Sequence, residues 1–205
     1  DEMVIKTTQQ NLASYDKNGA HHYDCVSAFI KSIRGSDPNA TVYWLARMIE
    51  GGEEVKFIAR RLLISASEDI GNANPNAMVI ANNCFQAVSV IGLPESRIIL
   101  SQTAIYLACS PKSNSSYKAI NKAQEKVKQT GNLSVPLHLR NSPTKLMQEI
   151  GYGADYIYSH EDPKSEQEFM PKEISNSVFY KPGSNKKEKL FKDQLKSIWK
   201  NKYKY

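Results

Sequence analysis

Apolar residues recur at three- and four-residue intervals through most of residues 20–150, and Gly, Pro, Ser and Asn punctuate the recurrence. The pattern predicts a helix from His22 to Arg34 ending at Gly35, and another from Pro38 to Glu50 ending at Gly51-Gly52. Between them, Ser36 or Asp37 can cap and Pro38 suits a first helical turn, so Lys31–Pro38 reads as a tight joint between helices. A third helix is expected over Glu53–Ile70, with Val55, Ile58, Ala59, Leu62, Leu63, Ala66 and Ile70 at helical spacing. Asn74 and Pro75 then open a fourth, whose inward stripe is Ala77, Ile80, Ala81, Cys84, Val88 and Ile91 and whose stop is Gly92. The fifth follows Pro94 and is apolar nearly all round from Ile98 to Cys109, the pattern of a central helix.

A sixth helix, Asn114–Gln129, turns Tyr117, Ile120, Ala123 and Val127 inward and Lys118, Lys122, Lys126 and Lys128 outward. Ser142-Pro143 opens a short helix that Gly151 closes. Short connections favour antiparallel packing, so the predicted fold class is all-α. At Gly151 the helical stripe is lost: Tyr152, Tyr156, Tyr158, Phe169, Phe179 and Tyr180 mark an irregular, Tyr-rich arm held by aromatic anchors, with room for a short hairpin. A last helix over Lys186–Lys202 sets Leu190, Leu195, Ile198 and Trp199 among lysines. The expected organisation is residues 1–19 as the tail of a preceding domain, 20–150 as a helical body, 151–184 as the arm packed on it, and 185–205 as a Lys-rich terminal helix. Residues up to Ala13 read as a short helical remnant and Tyr15–Gly19 as a turn. The chain opens on Asp1, and the expectation is a piece of a longer protein.

Composition adds less. The 205 residues are 40% apolar and 23% charged, the ordinary range of a folded domain. No apolar run approaches the roughly 20 residues of a membrane span, and nothing at the start reads as an export signal. The net charge of +6 is concentrated at the end, where nine lysines from Lys181 onward face only Glu188 and Asp193. Cys25, Cys84 and Cys109 are odd in number, widely spaced and set in apolar-periodic stretches, which favours free core thiols in a reducing compartment.

Candidate chemistry is sparse. No G-x-x-x-x-G-K-[ST] occurs, and Gly151-Tyr152-Gly153 reads as a helix end and turn. His21-His22-Tyr23-Asp24-Cys25 supplies ligand types on successive positions that point apart, so a first-turn polar cluster is expected rather than a metal site. No nucleophile elbow accompanies His138 or His160. Arg47, Arg60 and Arg61 lie on helices with apolar opposite faces and are either structural and interface charges or phosphate contacts, Arg61 having Ser65 and Asp69 on its side. Lys112 and Arg140 are similarly open. On the terminal helix, Lys186, Lys187, Lys196 and Lys200, interleaved with Trp199, could track a phosphate backbone. The same residues also suit an amphipathic helix that packs its apolar stripe and keeps its lysines wet.

Several strings together carry a resemblance: Lys31–Pro38, Tyr43–Met48, Ile58–Leu62, Ala66–Gly71, Ala108–Asn114, and Val135–Asn141 with Lys145–Met147 and Gly151–Gly153. The set is similar to the C-terminal part of the replication-associated recombination protein A family, called maintenance-of-genome-stability protein A in bacteria and Werner-helicase-interacting protein in eukaryotes. The resemblance implies a helical domain following an AAA+ motor, similar to a clamp-loader collar, that assembles a homotetramer. Residues 1–19 would then be the tail of the AAA+ lid. It implies a parent ATPase acting at stalled forks and single-strand/duplex DNA junctions with single-strand-binding protein, ATP and magnesium being held by the motor, in the cytoplasm at the nucleoid. For this chain the expectation is no catalysis, no cofactor and no metal. Arg34, Asp37, Trp44, Arg47, Arg60, Arg61, Asp69, Lys112 and Arg140 are the candidate interface or structural residues, and a nucleic-acid-binding module working through the basic tail is the alternative.

Overall fold

The computed structural model describes residues 20–205 and contains helices and turns, with no strand among the described residues. Residues 1–19, expected as the tail of a preceding domain, lie outside the described residues. The chain resolves into two compact units divided between Ser116 and Tyr117, inside the segment assigned by sequence to one body, and each is described by itself.

The first unit is built from α1 (Ala20–Arg34), α2 (Pro38–Glu50), α3 (Val55–Ser65), α4 (Asn76–Ile91) and α5 (Ser96–Cys109). Helix α5 packs against each of the other four, the central place its sequence predicts. The core runs continuously through Phe29, Ile33, Met48, Ile58, Leu62, Ile70, Val88, Leu100 and Leu107, all fully buried. Each such side chain contributes about 1.5–3 kcal/mol by leaving water, which is what holds helices this short in place. Cys25 and Cys84 are core thiols, and burial pushes the Cys84 thiol up, against a lowering hydrogen bond from Thr103. Cys109, expected in the core, is exposed on α5.

Four local expectations are corrected. The single helix Glu53–Ile70 is an α-helix only to Ser65; Ala66–Ile70 is a wider π turn, followed by a 3₁₀ turn over Gly71–Ala73. The joint after α1 is closed by Ser36 rather than Gly35: Ser36 takes the left-handed conformation (φ 60°), with Asp37 N–H donating to Ser32 O and Ser36 N–H to Ile33 O. Asn74 does not cap α4 with its side chain, whose amide instead donates to Tyr106 Oη at 2.9 Å and Ser110 Oγ at 3.1 Å. Ile91, predicted inward, is exposed at the end of α4.

The second unit holds most of α6 (Ser115–Thr130), α7 (Lys145–Glu149), the irregular arm and α8 (Lys186–Trp199). Asn185 caps α8 by accepting the Glu188 N–H. Glu188 is itself fully buried, with Tyr180 Oη and Asn185 Nδ2 donating to its carboxylate. The arm is pinned at several points. Buried Gln167 clamps the backbone of Ile157 at both its N–H (2.9 Å) and its carbonyl (3.1 Å). His138 Nε2 donates to Glu168 O at 2.7 Å, and Phe169, Trp199 and Tyr203 meet edge to face.

Candidate functional site

Three of the strings singled out in the sequence converge on one polar joint of the first unit. From the end of α1, Arg34 Nε donates to Asp69 Oδ1 at 2.6 Å, and its Nη2 lies 3.6 Å from Glu68. The π turn is what permits this. By widening the helix it lets buried Asp69 accept from Ser65 Oγ at 3.0 Å with one oxygen while the other faces Arg34. From the segment after α5, Ser113 N–H donates to Asp69 O at 2.8 Å. A Cβ on Gly71 (φ +49°) would stand 3.0 Å from Ser113 O, so both the backbone angle and the close approach require glycine there.

Lys112 closes the joint. Its ammonium donates to the carbonyls of Leu107, Ala108 and Ser110, and to Ser36 Oγ at 2.9 Å, satisfying the last turn of α5 with a cation. Burial pulls Lys112 below the ordinary lysine value, with Cys109 and Asp69 acting against that. The strained Ser36 thus presents its hydroxyl to Lys112, while the adjacent Asp37 caps α2 by accepting the Ala40 N–H at 2.9 Å.

Arg34 with Asp69, Lys112 with Ser36, and the Asp37 cap therefore lie at one joint, where Ser113 N–H ties the Lys112 segment to Asp69. The remaining candidates are dispersed. Half-buried Trp44 lies under the Arg47 guanidinium (5.4 Å), and Arg60 sits over Phe57 and 4.0 Å from Glu54. Arg61 does not bond Ser65 or Asp69 as its spacing suggests, because those two bond each other and Arg34. His22 of the first-turn cluster pairs with Glu53 at 2.6 Å, and among the described residues no group of three or more His, Cys, Asp and Glu could hold a metal. In the second unit, Arg140 donates to Val135 O and Tyr152 Oη, and Gly153 N–H donates to Leu137 O, so Gly151-Tyr152-Gly153 is a tied turn.

Among the lysines proposed for DNA, Lys200 pairs with Glu166 at 2.6 Å, while Lys186, Lys187 and Lys196 are exposed on α8. Trp199 is used internally, between Phe169 and Tyr203 and 4.9 Å from the Lys202 ammonium. Sequence reasoning placed Ser65 beside Arg61 rather than on Asp69, and did not single out Ser113. Ser65 and Ser113 lay within or beside the quoted strings, but hydroxyls in helical patterns carry no distinguishing signal.

Two apolar surfaces are left uncovered. On α6 the stripe predicted to face inward is open, with Tyr117, Ile120 and Val127 46%, 54% and 63% exposed. On the first unit, Val79 and Val90 of α4 and Ile98 and Ile105 of α5 are exposed at helical spacing on their own helices. No helix among the described residues is long and apolar enough to cross a membrane.

Comparison with known proteins gives two family matches. Residues 35–199 match the family described as MgsA AAA+ ATPase C terminal, and residues 1–34 match that described as AAA C-terminal domain. The replication-associated recombination protein A of Haemophilus influenzae is 42% identical over 205 residues, 95% of this chain and 46% of that protein. That of Bacillus subtilis is 42% identical over 200 residues, 97% of this chain and 47% of that protein. The ATPase WRNIP1 of Dictyostelium discoideum is 44% identical over 175 residues, 84% of this chain and 20% of that protein. The chain thus spans less than half the length of these curated relatives. The two family matches meet between Arg34 and Gly35, inside the joint.

Proposed function

The chain belongs to the MgsA AAA+ ATPase C-terminal family, and from that premise we propose that it is the self-assembly part of a replication- and recombination-associated AAA+ ATPase, joining copies into a homotetramer and performing no catalysis of its own. The observation that carries this reading is the uncovered stripe on α6. A 16-residue helix is marginal in water unless an apolar face is packed, and a second copy offers the same face for self-complementary docking. A four-fold assembly with dihedral symmetry uses two distinct self-complementary contacts. Exposed apolar residues on α6 of the second unit and on α4 and α5 of the first could supply them.

In this reading ATP and its magnesium ion belong to the motor part of the whole protein, and DNA and single-strand-binding protein are partners of that whole, in the cytoplasm at the nucleoid. The tied turn at Gly151–Gly153 has no free backbone cradle to offer a phosphate. Direct DNA contact through α8 is the weaker reading, since Lys200 and Trp199 are already engaged within the second unit. In either case the joint gives the assembly part its link to what precedes it: the helix matched as AAA C-terminal domain ends in Arg34, and Arg34 is bound to Asp69 of the next domain.

Light scattering on the 205-residue chain at micromolar concentration tests the proposal. A mass of about four times 23.1 kDa is expected. Ile120→Asp with Val127→Asp should reduce it to a dimer, with no more than the α6 share of the helical signal lost. A monomeric wild-type chain overturns the reading.

A further inference from the structure

A groove of about 490 Å³ opens between α1 and α3 of the first unit, bordering the polar joint at Arg34. Lys31 and Arg34 line it from α1 and Arg61 from α3; Tyr23, Ile30 and Phe57 supply apolar lining. Arg61 Nε is shielded from solvent yet has no hydrogen-bond partner among the described residues. A guanidinium holds five donors and no acceptor, so whatever binds this group must be an acceptor. The acceptors nearest in sequence are committed elsewhere: the two oxygens of Asp69 take Arg34 Nε and Ser65 Oγ. Lys31, one turn before Arg34 on α1, is exposed and makes no ion pair among the described residues. Arg34 is engaged by Asp69 and Glu68, which leaves Lys31 and Arg61 as the groove cations that no described residue pairs, beside an apolar bed.

We propose that this groove is an oxyanion-binding site, taking a carboxylate or phosphate group carried on an apolar body. Arg61 donates through its guanidinium group, Lys31 supplies a second positive contact, and the apolar body lies against Tyr23, Ile30 and Phe57. A guanidinium is suited to this because its planar fork matches both carboxylate and phosphate oxygens. The apolar bed makes the site selective for an organic anion over a bare ion, since burial of the attached group adds to the charge contact. This goes beyond the assembly reading and stands or falls separately from it.

The test follows the Arg61 Nε–Hε resonance of the 205-residue chain by ¹⁵N-resolved NMR. Benzoate, phenyl phosphate and inorganic phosphate are titrated against sodium chloride at matched ionic strength. The expected result is a saturable shift with benzoate or phenyl phosphate at an affinity about tenfold or more above inorganic phosphate; which of the two saturates identifies the head group. A rise in melting temperature with the same ligand should accompany it. By calorimetry, Arg61→Lys, which keeps the charge and loses the fork, should weaken binding about tenfold, and Lys31→Gln should weaken it several-fold. Responses no larger than those in chloride, or equal affinity in Arg61→Lys, overturn the proposal. Inorganic phosphate binding as tightly as phenyl phosphate overturns the role of the apolar bed.

Discussion

Removing Arg34 should damage the first unit more than neutralising the carboxylate it holds, and doing both should partly restore stability. The asymmetry comes from burial: the Asp69 side chain is 6% exposed and the Arg34 side chain 50%. Arg34→Ala strands a buried carboxylate with Ser65 Oγ as its side-chain donor and Glu68 beside it. Breaking a buried pair from one side costs about 3–5 kcal/mol, and because Arg34 is half in water the lower end applies, about 3 kcal/mol. Asp69→Asn keeps a side-chain oxygen for Arg34 or Ser65 and leaves a cation that water can reach, so the loss is that of one charge-assisted hydrogen bond, about 1.5 kcal/mol. In the double variant the buried charge is gone, and the expected cost is about 2 kcal/mol, making it about 1 kcal/mol more stable than Arg34→Ala alone. The assay is urea unfolding at fixed protein concentration, with Trp199→Phe as background so that Trp44 reports on the first unit alone. A double variant no more stable than Arg34→Ala would refute the reasoning, because it would mean that the Asp69 charge is not what the arginine compensates.

The other end of the joint gives a second expectation. Lys112→Met removes the donor shared by three carbonyls and Ser36, and should lower the stability of the first unit by about 2 kcal/mol in the same assay. In the second unit the pH dependence follows from Glu168 and Lys202, 3.1 Å apart. Burial pushes Glu168 up, but the Met170 N–H, the Lys202 ammonium and the Phe169 N–H outweigh it and hold the carboxyl below its ordinary value of 4.5. Burial likewise pulls Lys202 down, and bonding to Glu168 and Tyr203 outweighs that, leaving it above 10.5. A depressed acid contributes stability that is lost as pH falls below about 4.5, and a raised base contributes stability lost as pH rises above about 10.5. Trp199 fluorescence, with Trp44→Phe as background, should therefore be flat between these limits and change at both. Glu168→Gln should abolish the acid limb, and an unchanged acid limb in that variant would count against the pairing.

The course of the backbone was largely legible. Pro38–Glu50 was bounded correctly because its start and stop are written in adjacent residues: Asp37 and Pro38 at one end, Gly51 at the other. The central position of α5 followed from its nearly continuous apolar surface. The π turn at Ala66–Ile70 was not legible, because a helix one residue wider per turn preserves the same apolar recurrence over five residues. Nor was the inward face of α6. The amphipathic pattern identifies an apolar face but does not say whether this chain packs against it, and Tyr117, Ile120 and Val127 are exposed.

The same division holds for the functional residues. By itself the sequence determined an all-α chain, the ends of most of its helices, its concentration of positive charge at the C-terminus and its family, since these rest on periodicity, capping and local strings. Only the tertiary structure decided that Arg34 rather than Arg61 takes Asp69, that Lys112 reaches back to Ser36, and that Lys200 is engaged by Glu166. Those choices depend on competition among donors and acceptors separated by between about thirty and eighty residues in the chain, which helical periodicity cannot resolve. A buried carboxylate with two available oxygens satisfies the donors that packing brings to it, and the arginine left over at the groove exists only because that competition has a loser.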